Sequence, residues 1–142
     1  MATIARCAFG TLLRIGDGGG TEVFTTIAEV SSIKGISPKL STENVTAHDT
    51  GPWEQKIATL IDAGQVSFDL NYNNHATQGP TGGLYNDMVN RTLRNFQLVI
   101  PTTVAKTISF SAYVTEYPFE LPTDGAIKVS CSLEISGQPI WT

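Results

Sequence analysis

The sequence predicts a mainly β chain, an antiparallel β-sandwich or barrel with one flanking α-helix and a long projecting loop or hairpin arm. Three observations carry that prediction. The runs Gly64–Asn71 (GQVSFDLN), Thr107–Thr115 (TISFSAYVT) and Ala126–Ser136 (AIKVSCSLEIS) alternate apolar and polar residues one by one. Period two is the mark of a strand with one buried and one wetted face. A single segment, Leu84–Asn95, has helical spacing, with Leu84, Met88, Val89 and Leu93 on one stripe. Finally, the stretch from Ser37 to Trp53 is polar and carries Pro38, Gly51 and Pro52, too long for an ordinary connection in a compact domain.

Taken in order, Thr11–Arg14 reads as a first strand, and Asp17–Gly20 as a hairpin turn or flexible tip. The β-branched and aromatic run Glu22–Ala28 is continued by Val30–Ile36 after a bulge or bend, as two strands or one long bent one. The arm follows at about residues 37–53, with a short extended core at Asn44–His48 whose β-capable residues suit pairing with a partner. Lys56–Asp62 then leads through the turn Asp62-Ala63-Gly64 into the strand from Gln65. Asn73–Gly83 is loop by every signal, and the helix covers about residues 84–95. Phe96–Ile100 is a strand stopped by Pro101, and Pro118, Pro122 and Gly125 mark Glu116–Gly125 as a connection. In the last run Ile127, Val129, Cys131, Leu133 and Ile135 point to the core. Seven or eight strands in 142 residues make one domain, residues 1–142, without repeat or linker.

Composition then excludes several function classes. Only 15% of residues are charged, the net charge is -4 and the nine basic residues are spread singly, so a clustered phosphate grip is absent from the sequence. Aromatics at 8% offer no stacking platform for single strands. The N-terminal apolar residues are interrupted by Arg6 and Arg14, leaving neither a leader h-region nor a membrane span; a soluble, cytoplasmically made chain is expected. Cys7 and Cys131 could pair in an oxidising compartment, but Cys131 lies on an apolar strand face, which favours a buried thiol. His48 and His75 stand in polar loops without partners at metal-ligand spacing, and no HExxH, GxSxG or CxxC occurs. Gly18–Gly20 lacks the Lys-Ser/Thr of a phosphate loop, and Asp62, Asp69 and Glu134 are scattered. The expectation is no enzyme, no cofactor and no metal. Trp53 and Trp141 are anchor candidates for a partner, or else seal an edge of the core. The terminal run Ser136–Thr142 (SGQPIWT) suits docking onto a neighbour.

The stretch Gly16–Tyr72 resembles the tail tube (major tail) proteins of long, non-contractile-tailed bacteriophages, the lambda-like tube family. The resemblance rests on an ordered set. Phe24, Ile27, Ala28, Val30, Ile33 and Gly35 form the first element, Thr46 and His48 of the polar arm the second, and Asp62, Gly64, Val66 and Phe68 the third. The helix near Leu84–Asn95, the Phe96–Pro101 strand and the ending Leu133–Pro139 are similar too.

This resemblance implies a structural virion protein whose hexameric rings stack into a hollow tail tube, the conduit for genome delivery. Other copies of the chain, a tape measure protein and tail tip or terminator proteins are the implied partners. Double-stranded DNA would pass through transiently and non-specifically, with no membrane insertion. Its place would be the virion tail, assembled in the host cytoplasm, with no C-terminal immunoglobulin-like domain carried in this chain. Ser67, Asp69, Asn71, Ser109, Ser111 and Glu134, on the polar faces of the alternating strands, are the lumen-facing candidates of an acidic, hydroxyl-rich channel. Exposure on the tube exterior is the competing reading for any one strand. Ring-to-ring contact falls to Thr42, Asn44, Thr46, His48, Asp49 and Trp53 of the arm, with Trp141. Alternatives are a tail-completion or capsid-decoration protein of similar fold, a carbohydrate-binding β-sandwich, or a hydrolase.

Overall fold

A computed structural model describes residues 7, 9–49, 51–73, 75–79, 82–101 and 106–142. Arg6, and Asn74, Pro80 and Thr81 of the expected loop, lie outside these. Ten strands and one helix follow in the order β1 (Leu12–Gly16), β2 (Phe24–Thr26), β3 (Val30–Lys34), β4 (Lys39–Asn44), β5 (Lys56–Asp62), β6 (Gln65–Asn71), α1 (Leu84–Val89), β7 (Arg94–Ile100), β8 (Lys106–Glu116), β9 (Phe119–Glu120) and β10 (Lys128–Trp141). Eight strands form one antiparallel sheet along the path β2-β1-β7-β8-β10-β6-β3, with β9 on β10, while β4 and β5 pair only with each other.

The sheet curls around its core without closing into a barrel. β2 and β3 sit at opposite ends of the path, where six interstrand gaps of ~4.8 Å would part them by ~29 Å if the sheet were flat. Yet Thr26 and Val30 are joined by residues 27–29 alone, a span of at most ~14 Å. The two halves are therefore folded back to back. In agreement, Gly35 just past β3 lies against Leu98 of β7, four strands away along the path. The corner is held by Ile27 N donating to Leu13 O at 2.9 Å and Asn71 N donating to Glu29 O at 3.0 Å. Glu29 adopts the left-handed conformation there, with φ 61°.

Period-two alternation becomes a single core. Leu13 and Ile15, Phe96 and Leu98, Ile108 through Val114, Val66 through Leu70, and Val129 through Ile135 point inward and merge with Ile27 and Leu84. Phe96 and Phe110 stack at 5.8 Å between centroids. Cys131 is a buried free thiol, as its strand face predicts, and Cys7 is exposed and free. Burial pushes the Cys131 thiol far above the usual range.

Several expected boundaries are corrected. The helix stops at Val89 instead of residue 95, because Arg91 turns left-handed at φ 54°. Thr92 N then donates to Asp87 O at 3.0 Å and Arg91 N to Met88 O at 3.3 Å, the two bonds of a Schellman end. The arm is not residues 37–53 but the β4–β5 hairpin from Lys39 to Asp62. Its second strand was read as a lead-in to the sheet, and of Asn44–His48 only Asn44 lies in a strand. Ile127 is 42% exposed and precedes β10, so it does not join the core. The terminal run 136–142 is not a free tail, since β10 continues to Trp141 and pairs with β8 after a bulge between Ser136 and Ile140. The connection 116–125 contains β9.

Candidate functional site: a convex polar face and a projecting arm

Strand register decides where the polar residues go. Across β3, β6 and β10, Ser32 pairs with Asp69 and Asp69 with Ser130, while Lys34 pairs with Ser67 and Ser67 with Ser132. Across β7, β8 and β10, Asn95 pairs with Ser111 and Ser111 with Ser136, and Gln97 pairs with Ser109. All six lumen candidates, Ser67, Asp69, Asn71, Ser109, Ser111 and Glu134, therefore share the one face turned away from the core. Because the sheet curls, that face is convex and its two flanks look in opposite directions. Ser67, Asp69 and Asn71 lie on the β6 flank, Ser109 and Ser111 on the β8 flank, and Glu134 on the ridge strand β10 between Gln65 and Tyr113.

The face is hydroxyl-rich and, by count, only mildly acidic. Asp69, Glu116, Glu120 and Glu134, with Glu22 reaching Asn95, share it with Arg14, Lys34 and Lys128. On the β8 flank the polar groups are tied to one another. Ser111 Oγ donates to Asn95 Oδ1 at 2.6 Å, and Asn95 Nδ2 donates to Glu22 Oε2 at 2.7 Å. That chain pins the loop after β1, where Asp17 Oδ1 accepts from Gly19 N and Val23 N. Those two amides hold the Asp17 carboxyl below the usual carboxylate range.

The arm is a free-standing ribbon. Every residue of β4 and β5 is exposed, and Leu40 pairs with Ile61 and Glu43 with Ile57 across it. Thr42, Asn44, Thr46, His48, Asp49 and Trp53 all lie in it; Trp141 does not, standing instead at the end of β10 opposite Ile108. Asn44 and Thr46 close the hairpin more than they present themselves. Asn44 Oδ1 accepts from Thr46 N at 2.9 Å and Thr46 Oγ1 at 2.6 Å, and Thr46 Oγ1 accepts from Gln55 N at 2.7 Å. What the arm does present is apolar, with Trp53 82%, Leu60 81% and Ile61 73% exposed. The apolar residues of β5, Ile57, Leu60 and Ile61, were not singled out from sequence. An isolated two-stranded hairpin is marginal in water, and this ribbon pairs with no strand of the larger sheet. At its root a cleft of about 550 Å³ separates Thr59–Ala63 from Gly137–Pro139 of β10.

A buried polar hub also escaped sequence reading. Gln78 is fully buried, its Nε2 donating to Ala28 O (2.8 Å) and Asn71 O (3.1 Å) while its Oε1 accepts from Asn73 N (3.0 Å). Tyr117 Oη donates to Gln78 O at 2.7 Å, and burial pushes that phenol far above its usual range. Thr77 Oγ1 accepts from Ala28 N, and His75 Nδ1 lies 3.0 Å from Thr77 Oγ1 and 3.3 Å from Thr77 N. His75 is thus spent on loop structure. Nearby, Arg94 Nη1 pairs with buried Asp87 Oδ1 at 2.9 Å and Arg94 Nε donates to Gly16 O. Burial pushes the Asp87 carboxyl up to about 6 against the pull of Arg94, and its Oδ2 has no partner. These groups are structural ties, joining loop, helix and strand main chain. Among the described residues no three His, Cys, Asp or Glu side chains gather as a metal site, and no helix is long and apolar enough to cross a membrane.

No protein-family model matches the chain, and no curated protein matches it. Solved structures do match, over nearly its whole length. A chain from the tail of an empty gene transfer agent particle, refined helically with C6 symmetry, aligns with TM-score 0.79 at 18% identity, covering 97% of this chain and 99% of that one. A chain of the SPP1 tail tube aligns at 0.66 and 11% identity over 92% and 75% of the two chains. A chain at the sheath/tube terminator of an extracellular contractile injection system aligns at 0.71 and 12% identity over 100% and 99%. The likeness extends from these tails to a contractile injection system and does not single out a lambda-like group. The curled antiparallel sheet with its short helix is the fold seen in the tails of phage-like particles.

Proposed function

We propose that this chain is the building block of a hollow tail tube. In this reading six copies form a ring, rings stack, and the packaged genome leaves through the bore. The observation that carries it is the full-length fold match to a C6 tail combined with an arm whose apolar side chains the body does not cover. A heterologous contact, arm of one copy on another surface of the next, generates rings where the rotation closes and stacked filaments where it does not. The exposed edges of β2 and β3 supply main-chain groups that a neighbour can pair, removing an aggregation hazard. The arm, through Thr42, Asn44, Thr46, His48, Asp49 and Trp53, carries the contact between rings, aided by Trp141. Tape measure and terminator proteins at the two ends are the remaining partners.

Negative-stain microscopy of the purified chain is the test. Long tubes of stacked rings are the expected result, and deletion of residues 42–49 leaves a folded subunit that no longer polymerises. Tubes of normal length from the deleted chain would remove the arm from the contact. The likeness to a chain at a sheath/tube terminator favours one second reading, a tail-completion protein, for which single rings without stacking are the expected image.

A further inference from the structure

The two flanks of the convex face differ in what they expose. On the β10–β6–β3 flank every outward position, from Ser32 and Lys34 through Gln65–Asn71 to Lys128–Glu134, is Ser, Asn, Gln, Asp, Glu or Lys. The opposite flank, β2–β1–β7–β8 with the end of β10, mixes its hydroxyls and amides with apolar side chains. Tyr113 is 42% and Ile140 60% exposed there, with Leu12 and Val99 paired on the same face. A trough of about 280 Å³ on that flank runs between Phe24, Gln97, Ser109 and Ile140.

Resting on the tube reading above, we infer that the β10–β6–β3 flank is the channel wall and that the β2–β1–β7–β8 flank is covered by a second copy of this chain. A convex face cannot turn both flanks to one bore, so Ser109 and Ser111 separate from Ser67, Asp69 and Asn71. Exposed apolar surface gains by being buried against protein, whereas a wall of hydroxyls and amides gives a passing polyanion nothing to grip. Charge placement agrees. Lys34 stands opposite Ser67 and Lys128 opposite Asn71, each one diagonal step from Asp69. Each lysine on the wall thus has a carboxylate beside it, which limits the counterion release that holds DNA to clustered cations.

Single cysteines test the assignment. Cys7 is exposed and Cys131 buried, so Cys7→Ser is the background. Ser130→Cys and Ser67→Cys probe one flank and Ser109→Cys the other, with microscopy confirming that each variant assembles. In assembled tubes the thiols at 130 and 67 are expected to react with a small maleimide and to lose reaction with a large polyethylene-glycol maleimide, which unassembled subunits still accept. The thiol at 109 is expected to lose reaction with both. Large-reagent labelling at 130 and 67 in tubes, protection of both from the small reagent, or the small-only pattern at 109 would overturn the wall assignment. If the Cys7→Ser chain forms no hollow polymer under conditions where the parent chain does not either, the tube reading itself falls, and separately from this one.

Discussion

Residues 73–79 and the arm from Lys39 to Asp62 look alike in sequence, both polar and both interrupting runs of strand. In the folded chain they are opposites. The first segment turns inward, burying Thr77 and Gln78, with Thr77 Oγ1 and Gln78 Nε2 both bonded to the main chain of Ala28 and Gln78 also reaching Asn71 O. The arm turns outward, keeps its polar side chains in its own tip turn, and leaves Trp53, Leu60 and Ile61 in water. The difference shows that a polar loop is defined by where its hydrogen bonds end. One kind of segment holds a subunit together, and the other leaves its apolar side chains uncovered.

That contrast can be broken or sharpened by substitution. Gln78→Ala leaves the half-buried Ala28 O and Asn71 O without this partner, while Asn73 N is exposed to water; at 1–3 kcal/mol for each unsatisfied group, about 4 kcal/mol of stability is expected to go in urea denaturation. A loss of under about 1 kcal/mol would make the hub a passenger. Arg94→Met leaves the Asp87 carboxylate buried and unpaired, a cost of about 4 kcal/mol near pH 8. Because burial already raises Asp87 to about 6 in the folded chain, folding favours its protonated form. Its contribution to stability is therefore greatest at low pH and declines as pH rises through about 6. The Arg94→Met deficit should accordingly shrink at pH 5, and an equal deficit at both pH values would place its origin in lost packing. Tyr117→Phe removes one hydroxyl bond to Gln78 O and should cost about 1 kcal/mol by thermal or chemical denaturation. Smallest for the subunit, Trp53→Ser with Leu60→Ser should change its stability by less than about 0.5 kcal/mol while abolishing polymerisation. A large loss of subunit stability would show the arm packing on its own body.

The inward faces of β6, β8 and β10 were legible because period two survives any curling of the sheet. Residue type could not show that Arg91 would take a left-handed turn, so the helical stripe was followed past Val89 to Leu93. Ile57, Leu60 and Ile61 gave no sign of their exposure, because hydrophobicity does not say whether a side chain ends in the core or on a ribbon outside it. Gln78 was invisible for the converse reason, since its partner Ala28 O is 50 residues away and is main chain. The polar candidates were correctly gathered on one face, but alternation cannot reveal that the face is convex. That follows from a corner of residues 27–29 joining the two edges of the sheet.

The place of β10 in the sheet has a consequence for synthesis. This strand of 14 residues follows all the other elements in sequence and yet lies between β8 and β6, with β9 also along it. Until Lys128–Trp141 leaves the ribosome, the nascent chain holds two unjoined half-sheets, β2-β1-β7-β8 and β6-β3, with a core open between them. Completion of the sheet thus waits for Lys128–Trp141 to be made, and a chain still short of that strand offers no finished surface on which another subunit could dock.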